Sequence, residues 1–150
     1  MIEKTSELRW IGSSAPDSKL FDLSLWPIVI ARFPELDEEH RVKRVLDSLD
    51  AILEQNTSYV IIWRTASHNH DEEAHEDEKQ SNKWIKTRRE DINKLCKGYV
   101  YIVNNPEFRS ELESHLAVVS ARLFKFPMKI VEQQTDAISL AHKMLEHSSS

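Results

Sequence analysis

The hydrophobic pattern of the chain changes repeatedly between continuous apolar runs and helical spacing. Residues 59–63 are aliphatic or aromatic at every position, with Asn56 and Thr57 before them and a charged segment after them. Because such a run has no polar face that could contact water, it predicts a strand covered on both faces. Further strands are predicted at residues 20–24, 28–33, 99–103 and 128–131, with Trp26-Pro27 separating the first two.

Apolar residues at helical spacing lie between these strands. Asp37 is a suitable N-terminal cap for a first helix between the second and third strands. Asn105-Pro106 predicts the start of a third helix, since proline is tolerated in the first turn. Thr135 is the predicted cap of a fourth helix near the end of the chain.

The second helix is predicted over residues 77–97, before the fourth strand. Cys96 falls on its inward stripe, which makes this cysteine a core thiol rather than a nucleophile. Gly98 follows directly and is predicted to cap the helix in a left-handed conformation.

The order β, β, α, β, α, β, α, β, α predicts one α/β domain over residues 1–150. Its sheet is a mixed, mostly parallel sheet of four or five strands with about four helices packed on it. Helix connections between parallel neighbours are expected to be right-handed. Outside this core we expect a loosely ordered arm at 1–19, an acidic loop at 66–80 and a frayed tail at 147–150.

The composition narrows the classes of function. A net charge of -5 argues against nucleic-acid binding. The single cysteine excludes an internal disulfide and is typical of a reducing compartment. Since no long apolar run or signal-peptide core occurs, we expect a cytoplasmic protein without a membrane span. The two glycines are too few for a glycine-rich phosphate cradle.

Several residues in the predicted order match a known pattern: Asp22, Leu23, Ser24, Pro27, Arg88, Gly98, Arg109, Asp136 and Ala137. With the element order, they resemble STAS domains, the fold of anti-sigma-factor antagonists and sulfate-transporter tails. The chain is most similar to small stand-alone bacterial proteins described as STAS-like or SEC14-like. This resemblance covers about the whole chain and implies a regulatory domain that docks other proteins.

The chain departs from the antagonist pattern after its third strand. Antagonists carry an Asp-Ser pair followed by glycine at this place, and the serine is phosphorylated. Here residues 63–68 read Trp-Arg-Thr-Ala-Ser-His, without a glycine. Whether Thr65 or Ser67 is phosphorylated therefore stays open.

Residues 64–80 are the predicted docking segment, because they follow the carboxyl end of the central strand. Sheets of this kind present variable loops to ligands at that end. The segment contains six acidic residues within eight positions, which would attract a basic partner. We therefore predict a non-catalytic regulatory or scaffolding domain that binds another protein. Its predicted contact residues are Arg64, Thr65, Ser67, His68, His70, Glu72 and Glu73.

Metal and catalytic sites are weighed against this interpretation. Residues 68–78 contain histidines and acidic residues, which are common metal ligands. However, blocks of like charge are usually solvated, and the chain has no His-x3-His pair in a predicted helix. No glycine-flanked serine elbow occurs either. We therefore predict no metal, no cofactor and no catalytic residue, with an enzyme as the less favoured class.

Two alternatives stay open. Arg64, Arg88 and Arg89 could frame an anion pocket for a small ligand or a substrate at the strand end. Salt bridges to Glu90, Asp91 or the acidic loop are the favoured explanation of these arginines. The second alternative is an immunity-type protein that inhibits a toxin by covering its basic surface. The net negative charge of the chain fits this class, but the sequence contains no motif for it. The identity of the partner and the formation of a homodimer are also open.

Overall fold

The computed structural model describes residues 16–32, 39–64, 75–122 and 124–148 of the chain. In chain order its elements are β1 (Phe21–Leu25), β2 (Ile28–Arg32), α1 (Arg41–Glu54), β3 (Tyr59–Arg64), α2 (His75–Leu95), β4 (Cys96–Ile102), α3 (Pro106–Arg122), β5 (Met128–Val131) and α4 (Gln134–Ser148). This order confirms the predicted α/β class.

The five strands form one sheet whose spatial order is the chain order, β1-β2-β3-β4-β5. β1 is antiparallel to β2 across the Trp26–Pro27 turn, which contains a cis peptide bond. The other neighbours are parallel, which confirms the predicted mixed, mostly parallel sheet. α1, α2 and α3 lie on one face of the sheet, because their apolar side chains share one core cluster. α4 packs on the other face, over β3 and β4.

β3 is the central strand and is covered on both sides, as its sequence predicts. Residues 59–63 are each at most 3 % exposed. Tyr59, Ile61 and Trp63 belong to the core on the face of α1–α3. Val60 and Ile62 belong to the core beneath α4. The two sets alternate because successive side chains of a strand point to opposite faces.

Aromatic rings build the core on the face of α1–α3. The ring centroid of Trp63 lies 6.2 Å from that of Phe21 and 5.8 Å from that of Tyr99, in both cases edge to face. Tyr99 in turn lies 4.9 Å from Phe126 and 6.2 Å from Tyr101. Edge-to-face pairs add to the stabilisation that burial alone provides. This aromatic cluster connects β1, β3, β4 and the segment before β5.

The opposite face is built from aliphatic and small residues. Ala137, Ala141 and Met144 of α4 pack in one cluster with Val60 and Val100 of the sheet. The two alanines are fully buried, so α4 lies close to the strands. This second core depends on small side chains that leave room for the helix.

The predicted cap at Gly98 is wrong, because α2 ends at Leu95 and β4 begins directly at Cys96. Gly98 lies within β4, opposite Val60 of β3. A Cβ atom at Gly98 would overlap the sulfur of Met144. The glycine therefore accommodates α4 rather than ending α2. Cys96 is a strand residue and not a helix residue, although its predicted burial is confirmed.

The first helix begins later than predicted, and Asp37 lies outside the described residues. α1 starts at Arg41 after His40, whose backbone is left-handed with φ 51° and whose side chain makes no capping bond. The third helix begins as predicted, with the Phe108 amide donating to Asn105 Oδ1 at 3.0 Å. α4 begins at Gln134, so Thr135 lies inside the helix rather than at its cap.

Three predicted irregular segments are more ordered than expected where the structure describes them. Residues 16–19 of the predicted arm are attached to α1. Arg44 Nε donates to Asp17 Oδ2 at 2.8 Å, and the backbone amide of Asp17 donates to Ser48 Oγ at 2.9 Å. The predicted acidic loop at 66–80 is helical from His75 onward. α4 continues through Ser148, so the predicted frayed tail is partly helix. Residues 1–15, 65–74 and 149–150 lie outside the described residues.

We predict that Gly98→Ala destabilises the protein by about 1–3 kcal/mol, because the added methyl group overpacks the core against Met144. In a Met144→Ala background the same change fills the space that the sulfur leaves, so it should be neutral or stabilising. Urea unfolding of the four proteins of this double-mutant cycle measures the coupling. An equal cost of Gly98→Ala in both backgrounds would show that Met144 is not the constraint.

We predict that Asp17→Asn lowers stability by about 1 kcal/mol at neutral pH, because it removes a partly buried ion pair with Arg44. The Arg44 guanidinium holds the pKa of Asp17 below its ordinary value of 3.8. A lowered folded-state pKa stabilises the protein above the unfolded-state pKa, and this contribution disappears as pH falls through the folded-state pKa.

The difference in unfolding free energy between the wild type and Asp17→Asn should therefore shrink below pH 3.8. Asp47→Asn is the matched control, because Asp47 pairs with Lys43 at an exposed site and should change stability less. A difference between wild type and Asp17→Asn that stays constant with pH would contradict the assignment.

Candidate functional site

The parallel strands end together at one edge of the sheet, the carboxyl edge. Arg32 of β2 lies opposite Arg64 of β3, which lies opposite Ile102 of β4. Trp63 is buried, whereas Arg64 is exposed, so the chain leaves the core within one residue at this point. The geometry thus places two cationic residues on neighbouring strand ends.

The two arginines differ in their surroundings. The Arg32 side chain donates from Nε to the Lys19 carbonyl at 3.0 Å, and its backbone amide donates to the Leu20 carbonyl at 3.0 Å. Arg32 therefore fastens the segment before β1 to the edge of the sheet. Arg64 ends the central strand with its side chain exposed to solvent.

Of the predicted docking residues, Arg64 is the one that the structure describes. Thr65, Ser67, His68, His70, Glu72 and Glu73 lie outside the described residues. The chain re-enters the described structure at His75, where α2 begins. The contact surface of these residues therefore stays a prediction.

Arg88 has a different partner from those predicted. Its Nε donates to Asp50 Oδ1 at 2.8 Å, and the same oxygen accepts the indole N–H of Trp84 at 3.0 Å. This bond raises the pKa of Arg88 and joins α2 to α1. The sequence did not indicate the pair, because Asp50 lies on another helix. Arg89 is exposed on α2.

The buried titratable groups belong to the core. The Cys96 thiol donates to the Gly98 carbonyl at 3.5 Å, and burial raises the pKa of Cys96. Burial also raises the pKa values of Tyr59, Tyr99 and Tyr101. Since the thiolate is the reactive form of cysteine, a thiol held in its protonated form is a poor nucleophile.

A cleft between α3 and β5 was not predicted from the sequence. It has a volume of about 370 Å³. Its lining includes Arg109, Glu113 and Leu116 from α3, and Met128, Lys129 and Ile130 from β5. We call it the α3–β5 cleft. The lysine between two apolar residues is typical of an edge strand, but the cleft also depends on where α3 packs, which the sequence pattern does not indicate.

Arg109 lies across one side of this cleft. Its guanidinium approaches Glu113 at 3.4 Å and Glu132 at 3.8 Å, and it donates to the Ile130 carbonyl at 3.5 Å. All three contacts are long, and both glutamates are mostly exposed. Exposed pairs of this kind contribute little to stability, so Arg109 can change its partners at small cost.

Two further findings concern metals and membranes. Within the described residues, no three His, Cys, Asp or Glu side chains lie close enough together to hold a metal ion. None of the described helices is long and apolar enough to cross a membrane.

No protein-family model, curated protein or solved structure matches this chain. The resemblance to STAS domains therefore rests on the residues and on the order of elements, and it stays a prediction.

Proposed function

We propose that this chain is a non-catalytic, STAS-like interaction domain that docks another protein through residues 64–80. The observation that carries the proposal is the abrupt change at the end of β3. Five buried residues are followed directly by exposed Arg64, at the carboxyl edge where parallel sheets bind their ligands.

Two packed elements, β3 and α2, come before and after residues 65–74 in the chain. On one side the segment follows β3, which the two cores enclose. On the other side it continues into α2, which Asp50 joins to α1 through Arg88 and Trp84. Recognition loops are usually positioned by rigid scaffolds of this kind.

The charge of the segment favours a basic partner. Asp71, Glu72 and Glu73 lie in the connection between β3 and α2. Glu76 and Asp77 belong to α2, which begins at His75. The acids of the connection lie outside this helix, and they are the contacts that we propose for a basic partner.

The element order supports the STAS-like part of the proposal, since the order on which the resemblance rests is also that of the described elements. An anion pocket between Arg64 and Arg88 has less support, because Arg88 already bonds Asp50. An immunity-type inhibitor would use the same acidic segment against a basic toxin, so it is one form of the docking that we propose.

We predict that neutralising the connection with Asp71→Asn, Glu72→Gln and Glu73→Gln lowers partner affinity about tenfold, because exposed charges steer association. The partner is first captured on the wild-type protein from native cells and identified by mass spectrometry. Its affinity is then measured by titration at low and high salt. The wild type should lose affinity as salt rises, and the variant should lose less.

A matched control removes the same number of charges elsewhere on the surface, with Asp47→Asn, Glu90→Gln and Glu111→Gln, three exposed positions on helices. This control should keep both wild-type affinity and its salt dependence. Equal binding by the wild type and the connection variant would contradict docking through the segment. A thermal melt of each protein separates lost binding from lost folding.

A further inference from the structure

The outer edge of β5 presents backbone hydrogen-bonding groups. Among the described strands, β5 lies at one end of the sheet, and β4 is the described strand that pairs with it. The Tyr99 amide donates to the Pro127 carbonyl at 3.1 Å, and the Val103 amide donates to the Val131 carbonyl at 2.9 Å. Because backbone groups alternate in direction along a strand, the N–H and C=O groups of Met128 and Ile130 point away from β4.

The bond from Arg109 agrees with this alternation. Its guanidinium reaches the Ile130 carbonyl from the side of α3, at 3.5 Å. The outward carbonyl thus accepts a bond from outside the sheet in the unbound protein. The bond is at the limit of hydrogen-bond length, so a better aligned donor can replace it.

The side chains of β5 divide between the two faces. Met128 and Ile130 pack toward the core on the face of α1–α3, and they line the α3–β5 cleft. Lys129 lies between them in sequence, so it projects on the face of α4, where it is exposed. The edge therefore offers Met128 and Ile130 beside the Arg109–Glu113 pair on one face, and the positive charge of Lys129 on the other.

We propose that the outer edge of β5 binds an extended peptide segment of another protein, which adds a sixth strand to the sheet beside the α3–β5 cleft. In strand addition, backbone bonds provide affinity and alternate side chains provide specificity. The segment has the pattern apolar, acidic, apolar. Its acidic residue lies opposite Lys129, and the flanking apolar residues contact Met128, Ile130 and Leu116.

The charge of Lys129 distinguishes this occupant from a second copy of the chain. Two β5 strands paired about a two-fold axis, through the outward groups of Met128 and Ile130, would place Lys129 directly opposite its own counterpart. Like charges at directly opposed positions are destabilising, whereas opposite charges stabilise the pair. An edge lysine thus acts against self-pairing and favours an acidic partner strand.

The β5 edge shares no residue with the proposed docking segment, residues 64–80. Arg64 ends β3, the middle strand of the described sheet, whereas β5 borders that sheet on one side. Each site can therefore be tested without changing the other.

The test uses a fluorescein-labelled peptide, Ser-Thr-Val-Glu-Val-Thr-Ser, titrated with the full chain and followed by fluorescence anisotropy. We expect saturable binding, with NMR shifts confined to β5 and α3. A peptide with Val-Lys-Val at its centre should bind about tenfold more weakly, because lysine would face Lys129. N-methylation of the four residues from the first valine to the following threonine should abolish binding in either strand orientation, because it removes every donor that would face β5.

Variants of the protein test the same contact from the other side. Lys129→Glu should reverse the order of the two peptides, so that Val-Lys-Val binds more tightly than Val-Glu-Val. Lys83→Glu is the matched control, because Lys83 is an exposed lysine on α2, and it should leave the order unchanged. Thermal melts of both variants show whether the fold is kept, and Lys129→Gln provides a milder second variant.

Three results would overturn the proposal. One is the absence of saturable binding by Val-Glu-Val, and another is equal binding of the N-methylated peptide. The third is a concentration-dependent dimer of the unbound chain whose NMR shifts map to β5. That result would assign the edge to a second copy.

Discussion

The burial of β3 between two differently built cores is the constraint on which the structure depends. On one face the rings around Trp63 and Tyr99 connect strands from β1 to β4. On the other face α4 packs against Val60 and Ile62. Since every residue of 59–63 is buried, this strand carries contacts for both layers at once. Loss of either layer would expose half of the strand, so the two faces stabilise the fold jointly.

This arrangement also decides where recognition can occur. The faces of the central strands are covered by helices, so their side chains are used in packing. The parts of the described sheet that remain accessible to partners are the ends of its strands and its two edge strands. Arg64 marks one such place, where the central strand ends in solvent. The edge of β5 marks another, where Met128 and Ile130 present backbone groups outside the ladder. Both places combine a fixed backbone with exposed charge, as binding sites on α/β folds commonly do.

Hydrophobic periodicity predicted the elements well, because burial on two faces leaves a continuous apolar run that helices do not show. Local signals failed where packing between distant residues decided the outcome. Gly98 fits a helix cap by its position, but its real constraint is Met144. Arg88 has acids nearby in sequence, yet its partner Asp50 comes from another helix. The α3–β5 cleft could not be predicted in this way, since it depends on which strand ends the sheet and where α3 packs.

Native-state hydrogen exchange, measured residue by residue by NMR, tests this account most directly. The amides of Val60 to Trp63 should exchange most slowly, at the free energy of global unfolding, because opening β3 disrupts both cores. In the unbound protein the outward amides of Met128 and Ile130 should exchange quickly, and those of Lys129 and Val131 more slowly. Faster exchange in β3 than in the surrounding helices would contradict the central role of this strand. Strong protection of Met128 and Ile130 would contradict an open edge at β5.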